Sequence, residues 1–272
     1  FQTELMLLLL LLKIQYPLNF FLLRGNHEFV QTNSQSGFHA EVCSNYSERI
    51  YTLFNEVFNY LPLVALINHK VLCVHGGIGP NFKTIDQIRK IEFPLQTYDN
   101  DKCIQELLWS DPDYTFQNYS PNVRGIGVMY GKAVLSTFLH SNHLSRLIRG
   151  HESIVTGIQS DEDCLVYTVF SSSGYSNINC LGGFLLLDGN TQPKGYTYES
   201  FPVVSREEAL FYTPNVQKTK MMKKISGFRS LSNLLVGTPG SRKRYKNQNW
   251  KTSTSGSSLS SSDSCNVISM LS

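Results

Sequence analysis

The pattern of apolar and polar positions along the chain predicts helices that alternate with short, buried strands. An uninterrupted apolar run from Leu5 to Ile14 predicts a buried helix, which ends at Tyr16-Pro17. Asn19 to Leu23 predicts a strand, because a strand that is buried on both faces is apolar throughout. Gly37 to Tyr60 has a helical pattern, and its aromatic residues are predicted to lie in a core: Phe38, Tyr46, Tyr51, Phe54, Phe58 and Tyr60.

The middle of the chain adds a hairpin and further helices. Two apolar runs, Leu63 to Ile67 and Val71 to Val74, flank Asn68-His69-Lys70, which is a typical hairpin connection. Helices are predicted at Ile85 to Lys90 and at Lys132 to Leu139, and strands in "LSRLIRGHE" and "CLVYTVFSSSGY". This alternation predicts the α/β fold class.

Three of the predicted strands end in the same way, with a metal-capable side chain beside glycine. Asn26-His27 follows Gly25, His75 precedes Gly76-Gly77, and His151 follows Gly150. Ligands of α/β sheets bind at the carboxyl ends of the strands, and imidazole nitrogen and amide oxygen suit borderline divalent metals. One such histidine is more often structural, but three at matching positions predict a metal site.

Composition and charge add the organisation of the chain. The 272 residues are 41% apolar, which is enough for a packed core, and the six cysteines form no C-x-x-C pair. We therefore expect reduced thiols in an intracellular protein, and no membrane span, since the first apolar run is too short for one. Through Ser205 the chain has 13 Lys and Arg against 18 Asp and Glu, whereas from Arg206 it has 11 against 3. We predict one domain over residues 1–205 and a basic, then Ser-rich tail over 206–272 that is mostly disordered.

Several motifs together resemble the phosphoprotein phosphatases, the metal-dependent serine/threonine phosphatases that include calcineurin. In chain order they are "LLRGNHE" (22–28), "HGG" (75–77), "LLWSDP" (107–112), Arg124-Gly125 and "RGHE" (149–152). The resemblance implies a calcineurin-like metallophosphoesterase fold, a β-sandwich flanked by helices, with two divalent metal ions (Mn, Fe or Zn). It implies Asn26, His75 and His151 as ligands of one metal, His27 as the general acid, and Arg124 and Tyr175 as substrate-binding residues.

The sequence also departs from the family pattern. The family has two upstream motifs, Gly-Asp-x-His-Gly and Gly-Asp-x-x-Asp-Arg-Gly, but this sequence contains no Gly-Asp dipeptide. These motifs supply the ligands of the other metal and the carboxylate that orients the acid, so we expect binuclear catalysis to fail in this chain as written. We interpret the chain as an N-terminally truncated enzyme whose first strands are missing, and the alternative is a degenerate protein. The loop Ser171 to Tyr175 also replaces a proline-stiffened loop of the family, which makes it less rigid.

Two hypotheses of different classes follow. The first is a protein serine/threonine phosphatase that hydrolyses phosphoserine and phosphothreonine esters by a metal-activated hydroxide. The alternative is a catalytically inactive phosphatase-fold binding module, and a hydrolase of small phosphoesters is a weaker third interpretation. The expected partners are phosphoprotein substrates and regulatory subunits, with no nucleic acid and no membrane, in the cytoplasm. The basic clusters Lys218 to Arg229 and Arg242 to Lys246 fit a solvated linker, or alternatively a nuclear-localisation patch.

Overall fold

Helices occupy the beginning of the chain and strands dominate after residue 60. The computed structural model describes residues 1–177, 179–202, 204–210 and 268–271. Its helices are α1 (Gln2–Gln15), α2 (Val30–Asn33), α3 (Phe38–Asn45), α4 (Glu48–Phe58), α5 (Lys102–Trp109) and α6 (Lys132–Ser141), with 3-10 helices at Asn26–Glu28, Ile85–Lys90 and Tyr175–Asn177. Its strands are β1 (Val64–Ile67), β2 (Val71–Val74), β3 (Asp111–Pro112), β4 (Tyr119–Pro121), β5 (Val128–Tyr130), β6 (Arg146–Arg149), β7 (Ile158–Ser160), β8 (Val166–Val169), β9 (Gly182–Leu187), β10 (Pro193–Tyr198) and β11 (Ile268–Leu271).

The largest sheet is mixed and has the strand order β11-β1-β2-β6-β8-β7. β1 and β2 form the predicted hairpin, whose turn is possible because Asn68 and His69 adopt positive φ values of 49° and 54°. β2, β6 and β8 run parallel, so their carboxyl ends lie at one edge of the sheet. Two smaller sheets, β10-β9 and β3-β5-β4, complete the strands of the described residues. The predicted α/β class is confirmed.

One core lies between this sheet and helices α5 and α6. Leu72 and Val74 of β2, Leu147 of β6, and Leu107 and Leu108 of α5 are all buried in it. At about 25 cal/mol per Å² of apolar surface, each such side chain contributes roughly 1.5–3 kcal/mol of burial free energy. This packing fixes the sheet edge where the polar strand ends meet.

A second core lies in the helical part and contains most of the aromatic residues that the sequence placed there. Phe38, Tyr51, Phe54 and Phe58 are buried between α3 and α4, with Val42 beside them. The chain breaks the predicted helical region at Tyr46-Ser47, where Ser47 caps α4 by accepting a hydrogen bond from the backbone N–H of Ile50. The prediction was wrong for Tyr46, which is 47% exposed and donates to Glu4.

The first apolar run does form a helix, but the prediction that this helix is buried was wrong. Leu5 is 55% exposed and Ile14 is 76% exposed. Only one stripe of α1, with Met6 and Leu10, packs against the α3–α4 core, because these helices are its packing partners within the described residues. The end of this stripe is pinned by Thr3, whose backbone N–H and hydroxyl both donate to Glu41 at 2.9 Å.

The strand predicted from Asn19 to Leu23 is absent from the described part of the chain. The segment carries no strand hydrogen bonds there, and Phe20 to Leu23 are half-buried rather than buried. A strand requires a neighbouring strand to pair with its backbone. The backbone hydrogen bonds found here are turn bonds from Asn19 and Phe20 to the Tyr16 carbonyl, and one from the Arg24 N–H to the carbonyl of Pro62 at 2.8 Å. An apolar pattern specifies burial but cannot specify that partner.

The cysteines and the helix lengths bear on the expectations of reduced thiols and of no membrane span. The cysteines at positions 43, 73, 103, 164 and 180 are free thiols, as predicted, and Cys265 lies outside the described residues. Among the described helices, none combines the length and the apolarity that crossing a membrane requires.

The elements above belong to one compact unit and residues 204–210 to another. The boundary at residue 205 and the disordered tail stay predictions, because residues 211–267, with both basic clusters, lie outside the described part.

Candidate active site

The polar strand ends converge on one cavity of about 280 Å³ at the carboxyl edge of the large sheet. His75 directly follows β2, and His151 follows β6 by two residues. Because β2 and β6 are parallel neighbours, both histidines reach the same edge, and the backbone N–H of Gly150 donates to the carbonyl of His75 at 3.0 Å. The cavity is lined by Asn26, His27, His75, Trp109, Arg124, His151, Ser153, Phe170 and Tyr175. All six residues predicted for the site are therefore brought together.

Three donor atoms in this cavity lie at the spacing of ligands around one metal ion. His75 Nε2 lies 2.8 Å from Asn26 Oδ1 and 3.1 Å from His151 Nδ1. Adjacent ligands about 2.1 Å from an octahedrally coordinated ion stand roughly 3 Å apart, so the observed distances fit a shared ion. His151 Nε2 is buried without a hydrogen bond to any described residue, and it lies 4.0 Å from Asp111 Oδ1.

Burial keeps both histidine rings neutral. Burial lowers the pKa of His75 well below its ordinary value, and the charges of His151, Arg149 and His27 act in the same direction. The pKa of His151 is also lowered, mainly by burial, although Asp111 opposes this shift. Neutral imidazole is the form that binds metal ions. The chemistry and the spacing of Asn26, His75 and His151 thus fit a divalent metal.

The backbone around these ligands is tightly constrained. A Cβ atom on Gly25 would lie 2.8 Å from His75 Nδ1, so only glycine lets the segment before Asn26 approach the His75 ring. His151 adopts φ of +67°, a left-handed conformation that costs free energy in a residue other than glycine and that often marks functional sites. The loops hold the ligands in place rather than merely connecting strands.

Asp111 organises the arginine side of the cavity. Its carboxylate accepts from Arg124 Nε at 2.7 Å, from Arg149 Nη2 at 2.6 Å and from Asn122 Nδ2 at 3.0 Å. Burial alone would raise the pKa of Asp111, but the Arg149 charge and the hydrogen bonds from Arg124 and Asn122 bring it below its ordinary value. Arg124 is thereby oriented through Nε, while its side chain stays 36% exposed.

Arg149 connects the loops beneath the cavity. Its side chain is completely buried and donates to the carbonyls of Gly76 and Ser110 as well as to the carboxylates of Asp111 and Glu152. It therefore joins the loop after β2, the end of α5 and the loop after β6. A planar guanidinium with five donors suits this role better than lysine would.

His27 and Tyr175 occupy the rim of the cavity. His27 follows Asn26 on the 3-10 helix, is exposed, and has Nδ1 3.2 Å from Ser36 Oγ. Partial burial of its ring lowers its pKa. Tyr175 is 49% exposed and packs edge-on against Phe170, with ring centroids 5.3 Å apart. Gly174, whose φ is +65°, provides the turn that positions it.

The sequence interpretation missed several residues of this region. Trp109 was quoted only as part of "LLWSDP", but it lines the cavity and packs edge-on against the His151 ring, with ring centroids 5.5 Å apart. Arg149 and Asp111 were quoted inside motifs, but their ion pair joins residues 38 positions apart and has no local signature. Conversely, Arg24 stands in the same motif as Asn26 and His27 but does not line the cavity. It is buried, donates to the carbonyls of Glu28 and Leu95, and burial lowers its pKa to about 9.

Comparisons with known proteins found a family model and a solved structure that resemble this chain. The family model described as calcineurin-like phosphoesterase matches residues 1–154. A solved structure of a protein serine/threonine phosphatase from Saccharomyces cerevisiae, described as similar to human phosphatase PP5, is 32% identical to the chain, with a TM-score of 0.69. The alignment covers 74% of this chain and 67% of that one.

Proposed function

Since the chain belongs to the calcineurin-like phosphoesterase family, whose members are metal-dependent, we propose that it hydrolyses phosphoserine and phosphothreonine esters of proteins. The observation that carries this proposal is the meeting of Asn26, His75 and His151 beside Arg124 in one open cavity. The similarity to the yeast protein serine/threonine phosphatase supports the substrate class.

In this proposal Asn26, His75 and His151 hold one divalent metal through an amide oxygen and two imidazole nitrogens. These ligands suit Mn, Fe or Zn rather than Mg or Ca, which prefer sites made of oxygen alone. Metal ions at a phosphoesterase centre supply a water-derived nucleophile near neutral pH and neutralise phosphoryl charge. The residues of this chain contribute orientation, because Gly25 lets the backbone before Asn26 pass close to the His75 ring.

Arg124 binds the phosphoryl group in the same scheme. Its Nε is already paired with Asp111, so the terminal nitrogens Nη1 and Nη2 remain to donate to two phosphoryl oxygens. Asp111 is itself held by Arg149, which is buried and anchored to three loops. The guanidinium is therefore oriented before substrate arrives, and less side-chain entropy is lost on binding.

His27 supplies the proton that the leaving seryl or threonyl oxygen requires. Its place beside Asn26 brings it to the cavity, and its Nδ1 contact with Ser36 leaves Nε2 to donate to the leaving group. Tyr175 and Phe170, which also line the cavity, contact the peptide portion of the substrate in this scheme. An exposed rim of this kind accommodates a phosphorylated protein segment.

One observation favours a second function, that of a phosphosite-binding module without turnover. The three metal-binding atoms are all neutral, and the neighbouring carboxylates are engaged elsewhere. Asp111 pairs with Arg124 and Arg149, and Glu28 accepts from the backbone N–H of Gly25 at 2.7 Å. A site with these groups alone retains phosphoryl binding through Arg124. Because its ligand atoms carry no negative charge, it is less able to activate water.

Phosphoprotein substrates and regulatory subunits are the partners that accompany this proposal, in the cytoplasm. The free thiols of the described cysteines support that compartment. A nuclear location rests on the basic clusters outside the described residues.

The experiment compares phosphate release from matched phosphoserine, phosphothreonine and phosphotyrosine peptides with added Mn²⁺, for this chain and for the longest chain that its transcript encodes. Release from the first two peptides in preference to the third supports the proposal. Binding of the phosphoserine peptide without release supports the second function. Preference for phosphotyrosine, or neither binding nor release, contradicts both.

A further inference from the structure

A second group of metal-capable side chains lies away from the cavity, where α3 meets α4. His39 and Cys43 are four residues apart on α3 and therefore share one helix face. Glu48 begins α4 directly after the turn at Tyr46-Ser47. One ligand atom from each of these residues lies within 4.8 Å of the other two. No motif of the phosphatase resemblance includes any of them.

The helix hairpin holds this group in place before any ligand binds. Phe38 and Val42, the neighbours of His39 and Cys43 on α3, are buried against Phe54 of α4. The His39 ring also packs edge-on against Tyr51, one turn beyond Glu48, with centroids 4.5 Å apart. The three side chains therefore project from two helices whose separation is fixed by the core, which is what a preorganised site requires.

The three atoms have the spacing and the chemistry of a metal site. Glu48 Oε2 lies 3.0 Å from His39 Nε2 and 3.0 Å from Cys43 Sγ. Ligands of a tetrahedral ion with bond lengths of about 2.0–2.3 Å stand roughly 3.5 Å apart, so small side-chain rotations suffice. The His39 and Glu48 side chains are 39% and 68% exposed, which leaves room for water as the fourth ligand.

We propose that His39, Cys43 and Glu48 bind a borderline divalent cation such as Zn²⁺ and thereby clip α3 to α4. Imidazole nitrogen, thiolate sulfur and carboxylate oxygen together favour Zn²⁺ over Mg²⁺ or Ca²⁺. In the metal-free form Cys43 S–H donates to Glu48, so binding breaks this hydrogen bond and releases the thiol proton to solvent. The cavity site cannot mimic this ligation, because none of its lining residues carries sulfur.

The test uses Co²⁺ as a spectroscopic replacement for Zn²⁺ in the full chain. Thiolate ligation of Co²⁺ produces a sulfur-to-metal charge-transfer absorption that nitrogen and oxygen ligands do not produce. We expect this absorption in the wild-type chain and in His75→Gln, which removes a ligand of the cavity. We expect its loss in Cys43→Ser and in His39→Gln.

Matched variants separate Cys43 from the other thiols. Cys164→Ser changes a partly exposed cysteine elsewhere in the fold, and Cys265→Ser changes the one outside the described residues. Both variants should keep the absorption. Circular dichroism of Cys43→Ser should match the wild type, because serine is nearly the same size and the side chain is only partly buried beside the α3–α4 core.

Alkylation provides a second measurement that uses Zn²⁺ itself. At a Zn²⁺ concentration about ten times Kd, roughly a tenth of the thiol is free, so alkylation of Cys43 should slow about tenfold. Mass spectrometry of the Cys43 peptide, beside the Cys164 peptide, reports this protection. Unchanged alkylation of Cys43 at saturating Zn²⁺, or a Co²⁺ absorption that survives in Cys43→Ser, would overturn the proposal and leave only a hydrogen-bonded cluster.

Discussion

His75 and His151 are kept neutral by burial, and a neutral imidazole is the form that can donate a lone pair to a metal ion. Their environment therefore does two things at once. It disfavours the charged ring, and it places Nε2 of one ring 3.1 Å from Nδ1 of the other. A pair of surface histidines would have neither property.

The acid role of His27 predicts a selective loss of activity. Changing His27 to Asn in the longest chain that the transcript encodes removes the proton donor but keeps a polar side chain of moderate size, so kcat should fall about 10²- to 10⁴-fold. Mn²⁺ affinity measured by calorimetry should stay near the wild-type value, because the ring is not among the three ligand atoms. The control is His140→Asn, an exposed residue on α6, which should change neither quantity. An unaltered kcat in His27→Asn would contradict the acid role.

Substrate binding through Arg124 should weaken even when the substitution preserves the positive charge of the side chain. Lysine cannot keep the Asp111 contact and also donate two parallel hydrogen bonds to phosphate. Arg124→Lys should therefore raise KM for a phosphoserine peptide about tenfold or more, since bidentate charge-assisted hydrogen bonds are the strong ones. Lys132→Arg, at an exposed ion pair with Asp163, is the matched control. Equal KM values for Arg124→Lys and the wild type would show that charge alone suffices.

Six residues that line the cavity could be predicted from the motifs, because each stands beside a glycine or inside a recognisable local sequence, and their functional roles stay predictions. Asp111 and Arg149 were not predicted as the centre of the arginine network. Their contacts join segments that are distant in sequence, and Asp111 in "LLWSDP" looks the same whether it faces solvent or an arginine. Local sequence specifies a side chain's chemistry, whereas its partner depends on how the elements pack.

The loops at the carboxyl edge of the large sheet pack closely around the predicted metal ligands. Gly25 and Gly150 both adjoin a predicted ligand, but they differ in available space. A Cβ atom would meet His75 at 2.8 Å when placed on Gly25, whereas its nearest neighbour on Gly150 is 3.8 Å away. Only one of these glycines is required by sterics.

This difference predicts opposite outcomes for two similar substitutions. Gly25→Ala should push the His75 ring from its position, lower Mn²⁺ affinity about tenfold or more, and cost about 1–3 kcal/mol of stability. Gly150→Ala should leave both quantities close to those of the wild type. Calorimetry with Mn²⁺ and urea unfolding measure the two effects. Tolerance of alanine at Gly25 would contradict the close packing of this segment against His75.

The junction of α1 and α3 makes a pH-dependent contribution to stability. Burial alone would raise the pKa of Glu41, but the two hydrogen bonds from Thr3 bring it below the ordinary 4.5. A carboxylate with a lowered pKa in the folded state stabilises the protein above that ordinary value, and this contribution is lost as the pH falls through the folded pKa. Glu41→Gln should therefore reduce the free energy of unfolding by about 1 kcal/mol at pH 7, and by much less once the pH is below the lowered pKa of Glu41 in the folded state.

Urea unfolding at several pH values measures this difference, with the exposed Glu56→Gln as the control. A Glu41→Gln effect that is equal at neutral and acidic pH would contradict the linkage.

Most helices and strands were predictable because their apolar patterns reflect one-sided or complete burial. The hairpin of β1 and β2, and strands β6 and β8, lie where the sequence placed them. Two predictions failed where the pattern depends on a neighbour. Leu5 to Ile14 is helical yet largely exposed, and Asn19 to Leu23 has no pairing strand among the described residues. Hydrophobicity predicts the need for a partner, but only the fold supplies one.

For the molecule as a whole, family membership and cavity geometry lead to the same chemistry. The family model covers residues 1–154, which include the predicted metal ligands and Arg124. Tyr175 lines the same cavity and lies beyond that range. The Gly-Asp motifs that are absent from this sequence would contribute carboxylates, which cannot be replaced by the neutral groups found here. The phosphatase and the binding module therefore differ in turnover and not in fold.

The central claim is that His75, with Asn26 and His151, holds a metal ion that phosphoester hydrolysis requires. The most direct measurement is Mn²⁺-dependent phosphate release from a phosphoserine peptide by the longest chain that the transcript encodes, beside its His75→Gln and His140→Gln variants. We predict release by the wild type and by His140→Gln, and at least about a hundredfold less by His75→Gln, since loss of a ligand exceeds the effect of its supporting contacts. Release that is independent of Mn²⁺, or equal in His75→Gln and the wild type, would contradict this claim.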